Sequence, residues 1–220
     1  LVWSDHLLHT SGVENSALIS ALKVHDEMRI ELMAGQYLDV REAGERSPSV
    51  DRSLRIARYK SGKYTIERPL HLGASLALTN EAERKDLTNI LSAYGLPLGE
   101  AFQLRDDMLG IFGDPSVTGK PAGDDIREGK RTVLMAMTLE RADQASAAKI
   151  TAALGREDLT SDQIEEIRAL ITATGAVKVV EDLIEGLLST ALTAANSDEI
   201  DPSARELLIE LATSATRRSH

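Results

Sequence analysis

Asp106 and Asp107 stand side by side in FQLRDDMLGIFGDPSVTGKPAGDDIREGKRT, residues 102–132. The pair reads as the end of a helix. A Gly/Pro-rich loop follows, carrying Asp114, Lys120, Asp124, Asp125 and Lys130. Carboxylates ligate Mg2+, which keeps waters and phosphate oxygens in its remaining positions. Lysine adds a point charge suited to phosphate. Acid pairs and lysines on a turn-rich loop therefore suit a polyanion held through divalent cations. Adjacent acids are often merely solvated, and Asp124 and Asp125 could equally cap or solvate the loop. Gln103 shifts the balance toward chemistry, because it lies four residues before Asp107 on the same helical face.

Two stretches further upstream have side chains of the same kind. Gln36 and Asp39 are three residues apart near the end of a long helix, beside Gly35. Lys60 and Tyr64 are four apart, as are Ser61 and Thr65, with Gly62 between them. A glycine inside a helix either loosens it or lets another group approach closely. Both stretches also fit ordinary solvated helix faces. His6, His9, His25, His71 and His220 have no convincing metal partner and read as structural or surface groups. Gly119-Lys120 and Gly129-Lys130 lack the glycine spacing of a nucleotide-binding loop.

The elements that must position these groups are helical nearly throughout. Ala, Leu, Glu, Arg and Lys dominate, and no stretch alternates as a strand would. Ser11-Gly12-Val13-Glu14 has capping-box spacing, and a helix anchored by Leu18, Leu22, Leu32 and Met33 should follow to about Val40. Asp51 can cap the next helix, and Pro69 should end or kink it. Asn80 to Glu83 opens a helix with a buried stripe at Leu87, Ile90, Leu91, Tyr94 and Leu98, bent at Pro97 and ended by Gly113-Asp114-Pro115. Further helices are expected from Thr132, Gln144, Thr160 and Pro202, with Gly175 as a break.

At 220 residues with a net charge of −10, the chain reads as one helical domain, and the acidity excludes a basic nucleic-acid surface. No apolar run reaches the roughly 18 residues of a membrane span. The absence of cysteine excludes disulfides and thiolate metal sites and fits a cytoplasmic protein.

These residues carry a resemblance. The chain resembles the trans-type isoprenyl diphosphate synthases, the polyprenyl synthetase family. FQLRDD matches the start of that family's second aspartate-rich motif, and TGKPAGDDIREGKRT matches the segment after it. Gly35-Gln36 with Asp39, and Lys60-Ser61, resemble two further motifs. The resemblance implies an all-α antiparallel helix bundle around a deep central cavity, as a homodimer. It implies a Mg2+-dependent transferase joining an allylic diphosphate to isopentenyl diphosphate, head to tail. By position, Asp106 would ligate Mg2+ with Asp107 assisting. Lys60, Lys120 and Lys130 would hold diphosphate or stabilise its departure, with Lys60, Asp106 and Lys120 as the catalytic groups. Gln36, Ser61 and Gln103 would shape the substrate site.

Two departures from the family pattern stand out. Gly110 occupies the place where the second motif often has a third aspartate, and Asp114 lies four residues beyond it. The first aspartate-rich motif is absent and would precede Leu1, so residues 1–220 resemble the C-terminal two-thirds of a synthase. Product length is set mainly just before that first motif. The TGKPAGDD segment favours geranylgeranyl diphosphate, with farnesyl or longer products as alternatives. A catalytically silent subunit of a heteromeric synthase is a further alternative. A terpene cyclase of the same fold suits the lysine-bearing segments less well.

Overall fold

The computed structural model describes residues 2–43, 48–115, 119 and 123–217, and every regular element among them is a helix. The order is α1 (Val2–His9), α2 (Asn15–Ala43), α3 (Val50–Ala57), a π-helical segment (Arg58–Glu67), α4 (Arg68–Ala77) and α5 (Glu81–Phe112). Then come α6 (Asp124–Arg127), α7 (Val133–Arg141), α8 (Gln144–Ala153), α9 (Ser161–Ala173), α10 (Ala176–Ala195) and α11 (Pro202–Thr216). Side-chain caps set several of the starts. Asn80 accepts from the Ala82 and Glu83 N–H groups, and Thr160 with Gln163 closes a full capping box. Gly113 ends α5, as the sequence suggests.

Two starts differ from expectation. Ser11 Oγ donates back to Leu8 O at the end of α1, and Glu14 Oε2 accepts from the Ser16 and Ala17 N–H groups. The acid expected at the far end of the box is itself the cap of α2. For α3 the cap position is Ser49, without a side-chain bond, and Asp51 sits in the first turn. There its charge still favours the helix N-terminus.

Helix α5 spans roughly 48 Å at 1.5 Å per residue and is the axis of the bundle. It runs unbroken through Pro97. Its C-terminal half buries Leu104, Met108 and Ile111 among Ile126, Leu134, Ile164, Ile171 and Val180. Nearer its start, Tyr94 and Leu98 pack on Leu188, Ala191 and Ala212, and Tyr94 Oη donates to Leu208 O at 2.7 Å. The expected stripe is thus buried at Leu91, Tyr94 and Leu98, with Leu87 and Ile90 half-buried.

Helix α2 packs differently from the expectation. Its buried positions are the small residues Ala17, Ala21 and Gly35 together with His25 and Glu42, whereas Met33 is 65 % exposed. The reason is close approach. A Cβ on Gly35 would lie 2.5 Å from Lys60 N, so the backbone of the π-helical segment rides directly on α2. The other side of that segment meets α5 in the same way. A Cβ on Gly99 would lie 2.5 Å from Gly62 O. The segment is wound wide, with the Arg68 N–H bonded to Lys63 O, five residues back. It gives way directly to α4 at Arg68, with Pro69 in the first turn of that helix.

Candidate active site

One cleft of about 260 Å³ opens where α2, α3, the π-helical segment, α5 and the start of α7 meet. Asp39 comes from α2, Lys60 and Ser61 from the π-helical segment, and Gln103, Asp106 and Asp107 from α5. Lys130 enters from the turn before α7. Apolar cover comes from Ile56, Ala57 and Val133.

Local chemistry explains how each group is held. Lys60 Nζ pairs with Asp39 Oδ2 at 2.6 Å, both side chains remaining half-exposed. The π-helical segment beneath Lys60 is fastened by ion pairs. Arg68 grips Glu31 of α2 with Nε at 2.7 Å and Nη2 at 2.8 Å, and Lys63 reaches the same carboxylate. Arg58 at the start of the segment pairs with the buried Glu100 of α5. Buried Glu67 and His71 share Ser92 Oγ of α5, at 2.9 and 3.0 Å. Bidentate pairing and shared hydrogen bonds of this kind fix geometry as well as adding energy.

The acids differ in character although they are neighbours. Asp106 is exposed at the mouth of the cleft. Asp107 is buried, and Gln103 Nε2 donates to its Oδ1 at 2.7 Å. Burial pushes the Asp107 carboxyl up to about 8, the Gln103 bond opposing and the charges of Asp125 and Asp106 adding to it. Asp125 is also raised, by burial first, with Lys130 working against the shift. Burial alone would lower Lys130, but its bonds to Asp125 and Glu128 outweigh that and raise it, so it stays cationic. Beside it, Thr132 caps α7 by accepting from the Met135 N–H. The positive end of that helix therefore faces the cleft.

Asp39, Lys60, Ser61, Gln103, Asp106, Asp107 and Lys130 are thus brought together. Gln36 is exposed on α2 and is not among the cleft-lining residues. Lys120 lies outside the described residues. Asp114 is exposed beyond the end of α5. Sequence reasoning passed over Ser53, whose Oγ donates to Arg131 O at 3.1 Å and ties α3 to the Lys130 turn. It also left Asp125 as a loop acid, although that side chain is buried. The signal for Asp125 was Gly110, the missing side chain opposite it.

Among the described residues no group of three or more His, Cys, Asp or Glu is placed as a cage for a metal ion. Mg2+ does not need one, since it is usually bound through one or two carboxylates plus substrate phosphates and waters. The exposed Asp106 fits that role, with Asp107 beneath it.

The described residues thus form an all-α bundle with a cleft in which acids face lysines. A polyprenyl synthetase family model matches residues 5–171, and the chain belongs to that family. A short chain isoprenyl diphosphate synthase of Methanocaldococcus jannaschii is 31% identical over 153 residues, covering 70% of this chain and 45% of that protein. A geranylgeranyl diphosphate synthase of Mycobacterium tuberculosis is 30% identical over 167 residues, covering 75% and 46%. Among solved structures, geranylgeranyl pyrophosphate synthase of Corynebacterium glutamicum, complexed with isoprenyl diphosphate and magnesium, superposes with a TM-score of 0.92 at 42% identity. That match covers 99% of this chain and 60% of that one. The chain spans about half the length of the curated relatives it matches.

Proposed function

We propose that this cleft is the allylic diphosphate site of a Mg2+-dependent prenyltransferase, which extends an allylic diphosphate with isopentenyl diphosphate to geranylgeranyl diphosphate. The observation that carries the reading is the convergence of Asp106, Lys60 and Lys130 from three separate elements on one cleft with an apolar wall. Lys60 and Lys130 would bind the diphosphate and hold it as charge develops on its leaving oxygen. Asp106, assisted by Asp107, would hold Mg2+, which when bound neutralises diphosphate charge. Lys120 joins the lysines by its place in the motif, as Gln36 does for substrate binding. Gln103 keeps the Asp107 carboxyl oriented beneath Asp106. Ser61, beside Lys60, offers a hydroxyl to the same oxygens. The apolar wall of Ile56, Ala57 and Val133 would keep water from the allylic cation once its C–O bond has broken. That cation is attacked by the isopentenyl double bond, and loss of a proton completes the new prenyl unit.

The reading extends to a cytoplasmic homodimer. Support for the compartment is the cysteine-free sequence. Support for self-association is the exposed run Ile30, Met33, Tyr37 and Val40 along α2. No helix among the described residues is long and apolar enough to cross a membrane. The test is to incubate the natural full-length protein with Mg2+, isopentenyl diphosphate and a series of allylic diphosphates, and to size the products. A twenty-carbon diphosphate is the expected product. No elongation with any allylic primer would overturn the reading.

A further inference from the structure

Gly110 and Asp125 share one volume. A Cβ built on Gly110 would lie 2.1 Å from Asp125 Oδ2, 2.3 Å from Cγ and 2.7 Å from Oδ1. All three separations are far inside van der Waals contact, so the Asp125 carboxylate fills the space that a side chain at 110 would need. From this notch it reaches outward. Asp125 Oδ1 accepts from Lys130 Nζ at 2.5 Å, and Asp125 O accepts from the Lys130 N–H at 3.0 Å. The acid is buried and the Lys130 side chain is 42 % exposed and lines the cleft, so the pair runs from the interior to the site. Glu128 takes a second ammonium contact, at 2.9 Å. An ammonium has three donors, which leaves one for a phosphate oxygen.

We propose that Asp125 is a positioning residue for Lys130, and that Gly110 is required because its bare Cα admits the Asp125 carboxylate. The inference rests on the reading of Lys130 as a diphosphate ligand. A free lysine is a flexible four-carbon arm. Anchoring its head group to a buried carboxylate fixes where the remaining donor sits before substrate arrives. An acid in this notch also restores, from the α6 turn, a carboxylate next to the position where the chain has glycine.

The test uses the natural full-length protein and titrates inorganic diphosphate with Mg2+ by calorimetry, with elongation kinetics in parallel. Gly110→Ala and Asp125→Asn should each weaken diphosphate binding by about tenfold, the scale expected for a misplaced binding group. In a Lys130→Met background Gly110→Ala should have no further effect, because there is no ammonium left to misplace. The exchange Gly110→Asp with Asp125→Gly should recover affinity to within about threefold of the natural protein, since it returns the carboxylate to the same notch from the facing helix. Unfolding midpoints separate these effects from loss of fold, and the near-isosteric Asp125→Asn remains informative if Gly110→Ala does not fold. Additive losses from Gly110→Ala and Lys130→Met, or an exchange variant no better than Asp125→Gly alone, would overturn the inference while leaving Lys130 as a ligand. A silent Lys130→Met would remove the assignment of Lys130 and the inference with it.

Discussion

The contact between Gly62 and Gly99 allows a prediction whose size and order follow from two distances. A Cβ on Gly99 would stand 2.5 Å from Gly62 O and 2.6 Å from its Cα, both backbone atoms that cannot rotate away. Restoring an ordinary contact of about 3.4 Å needs a shift of about 0.9 Å between α5 and the π-helical segment, and overpacking of this kind costs typically about 1–3 kcal/mol. Ala recovers at most about 1 kcal/mol of helix propensity over Gly, so Gly99→Ala should be destabilising on balance. A Cβ on Gly62 meets nothing closer than 3.3 Å, at Glu100 N and Gly99 C. The neighbours there need to give by only a few tenths of an ångström, and Gly62→Ala should stay within about 0.5 kcal/mol of the natural protein. The consequence for function is direct, because Lys60 and Ser61 ride on the segment that moves. A displacement near 1 Å in a binding group can cost up to about 100-fold in rate. Thermal unfolding and kcat/KM for the allylic diphosphate, measured on both variants of the full-length protein, check the argument. Gly99→Ala should lower the midpoint by several degrees and the rate by at least about tenfold, with Gly62→Ala close to the natural protein. If Gly62→Ala proves the worse of the two, or Gly99→Ala is silent in both assays, the close approach does not position Lys60.

Other outcomes follow from single side chains. Asp106→Ala should abolish most elongation while shifting the unfolding midpoint little, because the side chain is exposed; near-normal turnover with unchanged Mg2+ dependence would remove Asp106 from the metal site. Lys60→Ala should weaken diphosphate binding by about tenfold, or about 1.4 kcal/mol, yet cost at most about 1 kcal/mol of stability, since its pair with Asp39 is half-exposed. Kinetics indistinguishable from the natural protein would make Lys60 a solvated lysine. Burial lowers His71 below its ordinary 6.5, with Glu67 favouring and Arg68 and Lys63 opposing its charged form. The unfolded chain therefore takes up a proton at 71 before the folded one, and stability falls as pH drops below about 6.5. His71→Gln should flatten the unfolding midpoint against pH below about 6.5; an unchanged slope there would mean that His71 does not report on folding.

The sequence by itself determined the helical class and most of the element boundaries, because those depend on local chemistry. Asn80, Thr160 and Gly113 act within a turn of their own position, and the Leu91, Tyr94 and Leu98 stripe is a property of one helix. The sequence also marked Asp106, Asp107 and Lys130, since their clustering lies within one short stretch. It misjudged α2, where period and size pointed to Met33 as an anchor while the tertiary contact selects small residues for close approach. Only the tertiary structure decided that Asp39 reaches Lys60 while Gln36 stays on the outer surface. Only the tertiary structure separated the two acids of one motif into an exposed Asp106 and a buried Asp107 raised to about 8. It alone also placed Asp125 in the notch at Gly110, from the far side of the loop. Burial and pairing between distant segments have no local signature, because they arise from which faces meet when the helices close against one another.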